Sequence, residues 1–133
     1  MMALKTTSAI GLLVVCIGVA GCERNVSFAS DVQPILLENC AECHGQAGEG
    51  YETSSFSVLD YESVMTGTQY GAVVDPGSAI SSSLYLLVAK KTAPEIQMPP
   101  HHEVSLAVGR RAALPDEDVE TIRLWIDQGA KDN

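Results

Sequence analysis

Basic residues are scarce in this chain of 133 amino acids: 8 lysines and arginines stand against 17 aspartates and glutamates, a formal net charge of -9. That balance excludes an ordinary nucleic-acid binder, which needs a basic footprint for phosphates. Aromatic residues are sparse at 5%, so a core built mainly on tyrosine and tryptophan is not expected. No apolar run reaches the ~20 residues of a membrane-crossing helix. There is no internal repeat and no low-complexity tract. Hydrophobic residues nevertheless make up 46%, too many for a disordered acidic tail. The length leaves little room for a large catalytic domain. A domain this small often needs a staple such as a disulfide, a metal or a cofactor.

Lys5 is the only charge before Glu23, and every residue from Ala9 to Gly21 is apolar or small. A positive start, a short apolar run and a small-residue exit read as a secretory signal. The exit Val19-Ala20-Gly21-Cys22 resembles the lipobox of bacterial lipoproteins. The resemblance implies that residues 1–21 are removed and that Cys22 is lipidated. Multiple acyl chains anchor a protein stably. Residues 22–29 then form a lipid-anchored tether, whose stretch from Glu23 to Ala29 reaches at most ~25 Å, and residues 30–133 form the folded domain. Glu23 stands where some bacteria use aspartate for inner-membrane retention, which points toward the outer membrane.

Four cysteines would allow two disulfides, but Cys16 lies in the discarded run and Cys22 would carry lipid. Only Cys40 and Cys43 remain, in Cys40-Ala41-Glu42-Cys43-His44. This is the C-x-x-C-H pattern of c-type haem attachment. On a helical turn, residues three apart share a face. Both thiols can therefore reach the two vinyl groups of one porphyrin, and His44 can offer its imidazole to the iron. A thioredoxin-like C-x-x-C would follow a strand, and here a helical stretch precedes it. A zinc half-site would need two more ligands, and the adjacent His101 and His102 are poorly placed to chelate one ion.

Along the rest of the chain, Phe28 to Asn39 reads as a helix capped by Ser30 or Asp31, with Pro34 in its first turn. Gly45 to Ser55 reads as a loop and Phe56 to Leu59 as an extended piece. Asp60 caps a short helix from Tyr61 to Met65, closed by Gly67. A further helix runs from Ser82 or Ser83 to about Lys91. Three prolines stiffen Ala93 to His102 into an extended loop. A last helix spans Asp116 to Gln128, with Val119, Ile122, Trp125 and Ile126 on one face. Nearly every element is helical, so the expected fold class is all-α: a small helical domain around one covalently bound haem c.

An electron-transfer iron usually takes two protein ligands. Met98, in the proline-rich loop, is the candidate distal ligand opposite the proximal His44, with His101 and His102 as alternatives. A thioether on the iron raises its potential relative to two histidines. Met65 sits on an amphipathic helix and reads as core.

These residues resemble a known family. Asp31-Val-Gln-Pro-Ile-Leu with Cys-Ala-Glu-Cys-His-Gly looks like the start of a class I cytochrome c domain. Leu59-Asp60-Tyr61-Glu62-Ser63, Val74-Asp75-Pro76-Gly77, Met98-Pro99-Pro100 and Asp116 to Ala130 look like its planctomycete-type branch. The resemblance implies covalent haem on Cys40 and Cys43, His44 as proximal ligand and Met98 as distal ligand. It also implies crossing N- and C-terminal helices, with Trp125 in or near their contact. Three departures stand out: a glycine-rich polar stretch from Gln46 to Ser55, a long link from His102 to Ala113, and Leu124 where a basic residue is common.

The expected function is a monohaem electron carrier, not an enzyme, anchored by lipid in the bacterial cell envelope and facing the periplasm. Its acidic surface favours a redox partner with a basic docking face. The rival readings are a haem-containing interaction module of a membrane-bound assembly, and a sensor or peroxidase with an open sixth position.

Overall fold

Helices supply the regular structure of residues 24–133, the part that the computed structural model describes. The expected leader, with Cys16, and the expected lipidation site Cys22 lie outside the described residues. Among those described there is no strand, only a lone antiparallel bridge between Thr68 and Gly71. None of the described helices is long and apolar enough to cross a membrane. The all-α expectation holds.

The chain enters through a π-helical turn, Phe28–Val32, which runs into α1, Gln33–Asn39. Its cap is Ser27, not the expected Ser30 or Asp31: the Ser27 hydroxyl accepts from the Ser30 N–H. Asp31 instead accepts from the Ser27 N–H at 2.8 Å and from Arg24 at 2.6 Å. Pro34 has no N–H to donate, and it falls where the wide turn hands over to α1.

The folded domain also begins earlier than residue 30. Val26 and Phe28 are buried, and the Val26 N–H donates to the Gln128 side chain at 2.9 Å. Val26 and Phe28, expected to lie in a tether over 22–29, are packed into the domain instead. Phe28 is the reason, because its ring packs 5.2 Å from Tyr61 and 5.3 Å from Trp125. This cluster joins the entry turn to α4, Tyr61–Thr66, and to α6, Asp116–Asp127.

In α6, Ile122, Trp125 and Ile126 are fully buried, Val119 packs partly against them, and Leu124 stays at the rim. Burying each isoleucine contributes roughly 1.5–3 kcal/mol. The Trp125 indole donates to the Lys131 carbonyl, and the Tyr61 hydroxyl to Ala130. Trp125 thus marks the contact of the entry turn with α6, and it does not line the cavity beside Cys40 and Cys43.

Three short helices complete the frame: α2, Ala41–His44, α3, Glu49–Ser54, and α5, Ser83–Val88. The α5 helix stops before Lys91 because Lys90 turns left-handed (φ 57°) and the Lys91 N–H closes back on the Leu86 carbonyl. The α4 cap is as the sequence suggests, with Asp60 accepting from the Ser63 N–H at 2.7 Å.

That bond, and for Asp31 the bond from Ser27, holds each carboxyl below its usual range. A lowered carboxyl pKa stabilises the fold above the unfolded value, and the gain disappears as pH falls through the folded value. Asp60→Ala is expected to cost about 1 kcal/mol, read as a lower melting temperature at neutral pH. Equal melting of variant and parent would remove the cap from the account.

Candidate haem site

Helix α1 delivers the attachment motif at its end. The Cys40 N–H bonds to Leu36 at 2.9 Å, and the Cys43 and His44 N–H groups return to the Cys40 carbonyl at 3.1 and 2.8 Å. This single turn sets Cys40, Cys43 and His44 along the wall of one cavity of about 430 Å³. Met98 lines the same cavity from a loop distant in sequence. Pro99, Pro100, Leu106, Ala107 and Val108 make much of the remaining wall apolar. The volume falls within the roughly 300–1,000 Å³ of small-molecule sites.

Each donor is prepared by its surroundings. His44 Nδ1 lies 3.3 Å from the Phe56 carbonyl, so it carries the proton and donates it there. The other ring nitrogen, Nε2, is left free to ligate metal. Burial holds His44 below its ordinary pKa, with the Phe56 bond a smaller opposing influence, so the ring is neutral at pH 7. The Phe56 ring also packs against the imidazole at 5.3 Å. Burial pushes the Cys40 thiol up to about 11, and the nearby Arg111 guanidinium counters it only in part.

Behind the imidazole the backbone comes close. A Cβ on Gly50 would stand 2.8 Å from His44 Cε1 and 3.0 Å from its Nδ1. On Gly48 it would stand 2.2 Å from the Cys43 carbonyl oxygen. The stretch read as a loop from Gly45 to Ser55 therefore contains a helix, α3, whose glycines let it press on the attachment turn. Intrinsic propensity argued against that helix, and tertiary packing overrode it.

The methionine loop is held from α5. The Met98 N–H donates to the Leu87 carbonyl at 3.3 Å, and the buried Gln97 side chain donates to the Thr92 carbonyl at 2.8 Å. Gln97→Leu is expected to cost about 1–3 kcal/mol, because the Thr92 carbonyl loses this donor. Chemical denaturation checks it, and an unchanged midpoint would show that Gln97 does not anchor the loop.

His101 and His102 do not line the cavity. His101 Nδ1 is engaged with the Pro99 carbonyl at 2.7 Å, and His102 is exposed. Met65 packs against the core. Among the described residues, no group of three or more His, Cys, Asp or Glu could hold a metal ion in the manner of a zinc site.

Two thiols, a neutral imidazole and a thioether facing one largely apolar cavity fit a covalently held haem and suit no other common group as well. Residues 40–102 match the family model described as Planctomycete cytochrome C. The chain carries a planctomycete-type cytochrome c domain. The match begins at Cys40 and reaches past Met98. No curated protein matches the chain.

Among solved structures it is similar to Kuenenia stuttgartiensis hydrazine synthase, at 26% identity and a TM-score of 0.52. The similarity covers 80% of this chain and 16% of that one, so the cytochrome c domain corresponds to a small part of a much larger chain.

Phe56, Gly48, Gly50 and Gln97 all act on this site, and none was singled out by motif reasoning. The first acts through its carbonyl and the glycines by lacking a side chain, so only the glycine spacing after the motif was available as a signal.

Proposed function

We propose that this chain is a monohaem c-type cytochrome that carries single electrons in the bacterial cell envelope, tethered to a membrane through lipid on Cys22. The observation that supports the reading is the convergence of Cys40, Cys43, His44 and Met98 on one cavity. Haem, when bound, supplies an iron that takes up and gives back one electron. Cys40 and Cys43 would hold the porphyrin through thioether bonds. His44 Nε2 and the Met98 sulfur would hold the iron. The Phe56 carbonyl fixes the tautomer and orientation of His44. The sulfur of Met98 would favour the reduced state, and the apolar wall would limit access of water. With His44 and Met98 both on the iron, the protein would leave no open position for oxygen or peroxide, and that favours a carrier over an enzyme.

The excess of acidic residues favours a basic docking face on the partner, and the rate of encounter should fall as salt rises. A midpoint titration of the exported protein tests the carrier role. A reversible one-electron couple with a six-coordinate reduced spectrum is expected, and rapid carbon monoxide binding by the reduced protein would contradict it. Cys22→Ser is expected to move the protein from the membrane fraction to the soluble fraction. Retention of that variant in membranes would contradict the lipid anchor.

The likeness to one part of a large enzyme favours a second reading, a haem module that serves an assembly. Capture of the same partner by a folded His44 variant without iron ligation would favour that reading.

A further inference from the structure

The long link after the methionine loop turns back over the cavity. Leu106, Ala107 and Val108 line it, and Leu106 and Val108 leave 77% and 60% of their surface uncovered by protein. Large apolar side chains placed so on a cavity wall are suited to cover an apolar ligand.

The link is tied down at both ends of this stretch. The Leu106 N–H donates to the Glu95 carbonyl at 2.8 Å, and the Arg111 N–H to the Pro100 carbonyl at 3.0 Å. Arg110 donates to the carbonyls of His102 and Glu103. Arg111 then reaches across: both terminal nitrogens of its guanidinium donate to one Glu42 carboxylate oxygen at 2.8 Å. Glu42 lies between the two attachment cysteines. The link is thereby bound to the methionine loop through Pro100 and to the attachment turn through Glu42.

We propose that residues 102–111 form a strap, a third haem-binding element in which Leu106, Ala107 and Val108 cover the porphyrin and the Arg111–Glu42 pair pins the cover across the cavity. The proposal rests on the c-type cytochrome reading above. Its physical content is exclusion of water. Water stabilises the more highly charged oxidised iron, so an apolar cover favours the reduced state and narrows the route to the metal. The pair itself is partly exposed, so its value lies in fixing geometry and it weakens with salt.

The test uses the haem-loaded protein. Leu106→Ser with Val108→Ser, keeping haem attached, is expected to lower the midpoint potential and to speed carbon monoxide binding to the reduced form about tenfold, the low end of second-layer effects on metal sites. Arg111→Gln, Glu42→Gln and the two together should give one and the same rise in the carbon monoxide rate, because each releases the same pin, whereas their potentials also carry the opposite charges removed. Hydrogen exchange supplies a readout that needs no variant: the Leu106 and Arg111 amides of the parent should be protected.

The strap is overturned by serine variants with the parent's potential and carbon monoxide rate, by additive effects of the two Gln changes on that rate, or by unprotected amides. A parent protein without covalent haem, or with an iron indifferent to Met98, defeats the underlying reading instead. A normal parent with indifferent strap variants defeats the strap alone.

Discussion

Replacing Met98 with alanine is expected to lower the midpoint potential of the holoprotein by on the order of 0.1 V, a modest part of the roughly 0.8 V that axial ligation spans. The reduced form should then bind carbon monoxide. Met98 is the distal-loop side chain with a soft donor on the cavity, and its loss removes the group that favours ferrous iron. The loop itself should survive the change, because Gln97 and the Met98 backbone N–H hold it to α5 and the end of its turn. Neither neighbouring histidine lines the cavity, so replacement by one of them would require the loop to be rebuilt. An unchanged potential and an unchanged spectrum would reject Met98 as ligand.

Gly50→Ala is expected to damage the site from the opposite direction. In an exposed helix interior the same change gains roughly 0.5–1 kcal/mol. Here the sign reverses. The new methyl group would stand 2.8 Å from His44 Cε1 and 3.0 Å from the Cys43 carbonyl oxygen. Either α3 moves outward or the imidazole rotates and loses its bond to Phe56. Overpacking of this kind typically costs about 1–3 kcal/mol. The checks are the melting temperature and the yield of haem-loaded protein, both of which should fall. A variant more stable than the parent, and equally loaded, would show that the attachment turn tolerates slack behind His44.

The parts of this molecule that were legible in the sequence are those whose chemistry demands particular side chains at a fixed spacing. Cys40, Cys43 and His44 announce themselves because two thioether bonds and an iron ligand must come from one helical turn. Helices α4 and α6 were readable from Asp60 and from the spacing of Ile122, Trp125 and Ile126, where local signals and tertiary packing agree. The entry was harder. Ser27, Ser30 and Asp31 all cap well, and the choice among them depends on the wide turn that Phe28 imposes by packing against Tyr61 and Trp125.

Helix α3 was hidden by its glycines, which look like loop residues until the imidazole they make room for is in place. The Phe56 carbonyl carries no sequence mark, since any residue could present that oxygen. The link from His102 to Ala113 read as a plain departure from the family pattern. Its relation to the cavity depends on a contact between Arg111 and Glu42, far apart in the chain.

The account depends most on covalent attachment, and intact mass together with absorption spectra of correctly exported protein tests it most directly. The predicted result is a chain carrying the mass of one haem that organic solvent does not extract, with Cys40 and Cys43 unreactive toward thiol reagents. Free sulfurs at both positions and a colourless chain would contradict it.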